Sequence, residues 1–159
     1  MTMTTHETQI IADPDVPLIR IIREFDAPPE KVFRAHTDPE LVVQWNGPRG
    51  LEMHIDHYDC RTGGSYRYVH VSDGVEYGFQ GCFHEVRPSE LIVQTFTYEG
   101  MPDAVALESL RLEDIGGGRT RLTATSLVDS FEGRDAFISS GMDVGVREGY
   151  ERLDAVLAG

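Results

Sequence analysis

Cysteine is scarce in this chain: Cys60 and Cys82 are the only two in 159 residues. They have no CxxC spacing, so neither a disulfide framework nor a thiolate metal knuckle is expected, and both read as reduced structural thiols. Neither lies at a helix start or beside a basic cluster, which leaves no candidate cysteine nucleophile. Long apolar runs are missing too. No stretch approaches the ~20 residues of a membrane span, and Met1 to Asp15 lacks the basic-then-apolar order of a signal peptide. A cytoplasmic location is expected. Basic residues are few, with 14 Lys and Arg against 27 Asp and Glu and a net charge of −13. Nucleic acid and anionic membrane both require a positive field, so neither is expected as a partner. There is no Walker loop, no GxGxxG after a strand, no GxSxG elbow and no HExxH. Histidines are present, but His54 and His57 fall on opposite faces of one strand, and no metal or cofactor is expected.

What is present describes one ordinary domain. Hydrophobic content of 40% and charged content of 26% suit a single globular core at this length. Residues 1–17 carry Thr, Asp and Pro without periodicity and read as a mobile leader, with one domain over 18–159. Leu18 to Phe25 is β-branched and partly alternating, which predicts a strand stopped by Asp26-Ala27-Pro28-Pro29. Two short helices follow. Pro29 and Glu30 open the first, to about Thr37; Asp38 caps the second, Pro39 sits at N1, and Gly47-Pro48 ends it.

Beyond Gly50 the hydrophobic period changes to two. Strands are predicted over Leu51–Tyr58, Ser65–Val71, Val75–Val86, Glu90–Tyr98, Ala104–Glu113 and Arg119–Val128, separated by short glycine-bearing turns. That makes about seven strands in an antiparallel meander, with no helical crossover to support a parallel α/β fold. The chain closes with a helix predicted over Glu132 to Leu157. Ile138, Met142, Val146, Tyr150, Leu153, Val156 and Leu157 share its apolar face, Glu148 and Arg152 form an i,i+4 pair, and no Lys or Arg stands at its very end. Gly141, Gly145 and Gly149 recur along one edge of the apolar stripe, each costing roughly 1 kcal/mol against Ala. Close packing on the sheet, an open concavity, or a subunit contact could offset that cost; the sheet-facing explanations are preferred, although a homodimer remains an open expectation.

Alternation places Tyr66, Tyr68 and His70 on one face, Phe79 and Phe83 on another, then Ile92, Gln94 and Phe96, then Ala106, Glu108, Leu110 and Leu112, then Leu122, Ala124 and Ser126. If all these faces point inward, the interior is too polar for an ordinary core.

Several motifs resemble one family. Arg23-Glu24-Phe25-Asp26-Ala27-Pro28-Pro29-Glu30-Lys31-Val32-Phe33-Arg34-Ala35, then Thr37-Asp38-Pro39-Glu40-Leu41 and Trp45-x-Gly47-Pro48, are similar to the opening of homologues of the activator of the heat-shock-protein-90 ATPase, in the START-like (SRPBCC) superfamily. Arg61-x-Gly63-Gly64-x-Tyr66, Gly81-x-Phe83-x-Glu85-Val86-x-Pro88, Gly118-x-Thr120-x-Leu122 and Ser140-Gly141-Met142-x-x-Gly145 keep the family order. The resemblance covers about Ile19 to Leu157 and implies an α+β helix-grip fold: a curved antiparallel sheet wrapped around a long C-terminal helix, two short helices after the first strand, and a cavity between sheet and helix. His36 and Asn46 depart from it, standing where relatives often carry tryptophan.

The superfamily binds lipids, sterols, hormones and polyketides, and some members are cyclases, so the site must be argued from residues. Tyr66, Tyr68, Phe79 and Phe96 are candidates for a sheet wall, Trp45 for an end, and Met142, Val146 and Tyr150 for a helix wall. Glu108, among apolar neighbours, must be paired, protonated or near water; an edge-exposed or misregistered Glu is the plainer expectation, a structural pair another, and it and His70 are the candidate ligand-orienting or catalytic groups. The leading expectation is binding, transport or sensing of a small hydrophobic or aromatic molecule. A cyclase, dehydratase or hydrolase using polar cavity groups is the alternative, and a chaperone-ATPase-interacting module ranks third, since the chain reads as a lone domain.

Overall fold

The computed structural model describes residues 6–159. Eight strands form one antiparallel sheet: β1 (Gln9–Ala12), β2 (Leu18–Phe25), β3 (Glu52–Tyr58), β4 (Ser65–Ser72), β5 (Val75–Arg87), β6 (Leu91–Tyr98), β7 (Ala106–Gly116) and β8 (Arg119–Leu127), in the spatial order β1-β2-β8-β7-β6-β5-β4-β3. From β3 to β8 the sheet is the expected meander, and β2 enters beside β8 with Leu18 opposite Leu127 and Phe25 opposite Thr120. Two short helices, α1 (Pro29–Thr37) and α2 (Pro39–Trp45), follow β2. Asp38 ends the first and caps the second, its side chain accepting from the Glu40 N–H at 3.0 Å. This is the helix-grip fold, with no helix among the described residues long and apolar enough to cross a membrane.

Several expectations need correction. The first five residues of the expected leader lie outside the described residues, but Gln9–Ala12 pairs with β2 and raises the strand count to eight. Arg147 donates to the Thr8 carbonyl at 2.7 Å, and Arg134 to the Asp13 carbonyl at 2.8 Å, so side chains from the closing helices hold this segment down. The closing helix is also not continuous. It divides into α3 (Phe131–Ser139) and α4 (Met142–Ala158) at Gly141, whose φ of 90° breaks the helical backbone and suits a residue without Cβ. Finally, the Glu148 and Arg152 side chains do not pair. Glu148 accepts from the Arg49 N–H at 2.9 Å and Arg152 donates to the Gly47 carbonyl at 3.3 Å, so both clamp the turn that follows α2.

The glycine edge of α4 faces that same turn. A Cβ at Gly149 would lie 3.2 Å from the Trp45 carbonyl oxygen, and one at Gly145 would lie 3.4 Å from Pro48. The close backbone approach is therefore to α2 and its exit rather than to the sheet, while the same two glycines border the open space between α4 and the sheet, the concavity that was the alternative explanation. Elsewhere α4 is tethered by charge. Arg23 on β2, almost wholly buried, grips Asp154 through two hydrogen bonds of 2.7 Å. Lys31 on α1 reaches the Leu157 carbonyl at 2.6 Å and supplies the cation that the helix C-terminus lacks in its own sequence.

The core has two parts. Phe25, Val32, Trp45, Leu122, Tyr150 and Leu153 belong to one, between α1, α2, α4 and the β2-β8 end of the sheet. Tyr66, Tyr68, Phe83 and Ile92 form the other, on the β4-β6 side. Phe33 and Leu110 pack against both, and beside them the interior is open.

Candidate functional site

The opening is a cavity of about 360 Å³ whose walls draw on both halves of the core. This lies at the low end of the ~300–1,000 Å³ range of small-molecule sites. Of the residues singled out from the sequence, Trp45, Tyr68, Phe79, Phe96, Glu108, Met142, Val146, Tyr150 and His70 all line it. Tyr66 does not. It is buried behind the wall, stacked at 6.0 Å on Tyr68 and packed at 5.2 Å on Phe83.

Period-two alternation explains why these side chains converge: each inner face of β4, β6, β7 and β8 contributes every second residue. Glu108 stands opposite Gln94 on one side and Ser126 on the other, a polar row across three neighbouring strands. Gln94 Nε2 donates to Glu108 Oε1 at 3.3 Å and also to the Tyr66 hydroxyl at 3.3 Å, while Tyr66 donates to the Thr95 carbonyl at 2.6 Å. Burial pushes the Glu108 carboxyl up to about 7, against the lowering effect of hydrogen bonds from Ser126 and Gln94. No cation offsets the burial. Arg23 on β2 is paired with Asp154, and no Lys or Arg lines the cavity. Tyr66, Tyr68 and Tyr150 are held well above the ordinary phenol range, first by burial and then by the nearby Glu108 charge, so they remain hydroxyl donors.

His70 lines the same cavity but does not join Glu108. It is three strands away, on β4, with its Nε2 buried and unpartnered. Its ring packs against Gly47, where a Cβ would come within 2.9 Å of the imidazole and where φ is 97°. Burial, and then the Arg152 charge, lowers its basicity, so it stays neutral.

Sequence reasoning missed other wall residues. His36 and Asn46, noted as departures from the family pattern, both face the cavity. The His36 ring packs edge-on against Trp45 at 4.8 Å, with Nδ1 2.8 Å from the Val32 carbonyl, and burial pulls its basicity down to about 4. Tyr58 closes the wall nearby, its hydroxyl donating to the His36 carbonyl at 2.7 Å. Ser109 and Thr125 border the cavity as well, but alternation turns their hydroxyls, 2.6 Å apart, to the opposite face of the sheet from Glu108 and Ser126. The departures were the usable signal for His36 and Asn46. Nothing in alternation alone could have told that Tyr58 turns inward, because a bulge between Ile55 and His57 shifts the register of β3.

The family model for Activator of Hsp90 ATPase homolog 1-like protein matches residues 26–158. A crystal structure of a Rhodobacter sphaeroides protein is 30% identical, covering 94% of this chain and 97% of that one with a TM-score of 0.84. A solution structure of a protein from Arthrobacter aurescens is 25% identical, covering 94% and 91% at a TM-score of 0.86. DynU16, described as a putative protein in the dynemicin biosynthetic locus, is 25% identical over 91% of this chain and 48% of its own, at a TM-score of 0.68. No curated protein sequence matches this chain.

Proposed function

We propose, on the premise that this chain belongs to the family of Activator of Hsp90 ATPase homolog 1-like proteins, that it binds a small hydrophobic or aromatic molecule between the sheet and α4. One observation carries the reading. The two halves of the core meet only in part and leave about 360 Å³ walled by Trp45, Tyr68, Phe79, Phe96 and Tyr150, with a few polar groups among them. A void of this size forfeits packing energy that an ordinary core would recover; apolar walls with sparse oriented polar groups are what a ligand pocket requires. The test is native mass spectrometry of protein purified without denaturation. An adduct of about 150–350 Da is expected on the parent and lost in Ala124→Phe, which puts a ring into the cavity from β8. A folded parent that retains nothing and takes up no aromatic probe would overturn the reading.

A second reading is supported by the Glu108 carboxyl, which near pH 7 can both give and take a proton. In that case the ligand is a substrate, and the reaction is a cyclisation or dehydration of the polyketide kind. The DynU16 likeness points the same way, since that protein is described by a biosynthetic locus. Turnover that disappears in Glu108→Gln while ligand retention persists would select this reading. The family description names a chaperone ATPase activator; co-purification of a chaperone in place of a small molecule would select an interaction module instead.

A further inference from the structure

We propose that the cavity selects uncharged ligands with a carbonyl-type acceptor oxygen, which takes its hydrogen bond from the Glu108 carboxyl, and that it rejects carboxylates and other anions. This rests on the cavity-binding reading above and specifies its ligand chemistry.

Three observations support it. First, the cavity wall holds one carboxyl group and no Lys or Arg. Two arginines border this region without lining the cavity, and both are engaged by protein oxygens: Arg23 grips Asp154 and Arg152 donates to the Gly47 carbonyl. An anion entering the cavity would lose its water and meet no cation, in a molecule already carrying a net charge of −13. Second, the protein neighbours of Glu108 present donors to it: the Gln94 amide at 3.3 Å, and the Ser126 hydroxyl across the β7-β8 pair. Neither neighbour is a carbonyl oxygen or a carboxylate aimed at it, since Gln94 presents its N–H2 and Ser126 a hydroxyl. What this carboxyl lacks for its own O–H is a carbonyl-type acceptor, and an acceptor oxygen on the ligand supplies it. Third, the other groups facing it cannot replace that acceptor by ionising. Tyr66 and Tyr68 from β4 and Tyr150 from α4 remain phenols, Gln94 and Ser126 carry no charge, and His70 is neutral and three strands away.

The chemistry fixes a pH dependence. Glu108 donates while protonated and loses that ability as it ionises near pH 7. A ketone should therefore bind best in mildly acidic solution.

Two probes of nearly equal shape test this on the full chain: 2-acetylnaphthalene, a neutral ketone, and 2-naphthoate, in which an oxygen anion replaces the methyl group. Titration calorimetry at about pH 6 should give at least tenfold tighter binding of the ketone, weakening several-fold by about pH 8.5. Glu108→Gln keeps an N–H donor at the same place, so it should hold the ketone with little pH dependence. Glu108→Met, of similar volume and without a donor, should lose most of the ketone affinity. Binding of the naphthoate as tight as that of the ketone, or ketone binding by the parent independent of pH, overturns the proposal while leaving a ligand cavity standing. Tighter binding of 2-naphthylmethylamine than of the ketone overturns it as well, in favour of a cation site. If none of the three probes binds a folded parent, the cavity-binding reading fails and this proposal fails with it.

Discussion

Glu108 and His36, both half-buried at the cavity wall, are the two side chains whose loss of water is most directly readable as pH-dependent stability. Glu108 titrates near 7 in the folded protein instead of at its ordinary 4.5, so between those values the folded state holds a proton that the unfolded state has lost. Stability from this group is complete below about pH 4.5 and declines as the pH rises through 7, by about 3 kcal/mol at most. His36 works in the opposite direction. Its folded value near 4, against 6.5 ordinarily, means that the unfolded state takes the proton first as the pH falls, so stability is lost from about 6.5 downward. The two slopes oppose each other between about 4.5 and 6.5. Glu108→Gln removes one of them. The stability of that variant minus that of the parent, from urea unfolding at a series of pH values, should rise by about 2–3 kcal/mol between pH 4.5 and 7.5 and stay flat outside that window. A constant difference would mean that the carboxyl is solvated. The sequence made Glu108 visible because alternation put it on the face of Ala106, Leu110 and Leu112. It could not show that Gln94 and Ser126 are its neighbours, since this depends on the β6-β7-β8 register.

At the scale of the elements, α4 is where reading the sequence reached furthest and also where it erred. Its apolar stripe was legible: Tyr150, Leu153 and Leu157 are buried, and Met142 and Val146 face the cavity. What periodicity could not reveal was the break at Gly141, because three glycines at four-residue spacing look alike until the backbone of each is placed. Their environments differ, and so do the expected substitutions. Gly145→Ala places a methyl group at ordinary contact distance from Pro48 and should be neutral or stabilising by up to about 1 kcal/mol through helix propensity. Gly149→Ala must push back the Trp45 carbonyl oxygen, 3.2 Å from the new Cβ at the end of α2, and should destabilise by about 1–3 kcal/mol. Chemical denaturation of both variants decides this; equal effects would show that the α2 contact is not what requires Gly149. The tether on the other flank of α4 is equally testable. Arg23→Met leaves Asp154, itself one-third exposed, without its bidentate partner. It should cost about 2–3 kcal/mol, less than a fully buried pair because water can reach the carboxylate. Neither tether was legible, for Arg23 and Asp154 are 131 residues apart.

For the molecule as a whole, the open question is how a sheet that does not close manages its two edges. β3 carries the exposed Glu52, His54, Asp56 and His57 and a bulge between Ile55 and His57, features that discourage another strand from adding there. The opposite edge would be β2, whose Leu-Ile-Arg-Ile-Ile run is a far better template, but β1 covers it with Ile10 opposite Ile21 and Ala12 opposite Ile19. This is the part of the fold that was hardest to read. Gln9–Ala12 is four residues long, flanked by Thr, Asp and Pro, and too short for alternation to register. Its role lies in what it hides. Deleting residues 1–12 should cost about 1–3 kcal/mol and expose the edge of β2. Self-association should then depend on ionic strength, because copies carrying a large net negative charge repel one another across a Debye length of ~30 Å at 0.01 M salt but only ~8 Å at 0.15 M. Light scattering should therefore find the truncated chain monomeric at low salt and associating at physiological salt near pH 8, with the parent unchanged by salt. Association that ignores ionic strength would trace instead to exposed core, and a truncated chain that stays monomeric with full stability would remove β1 from any part in protecting the sheet.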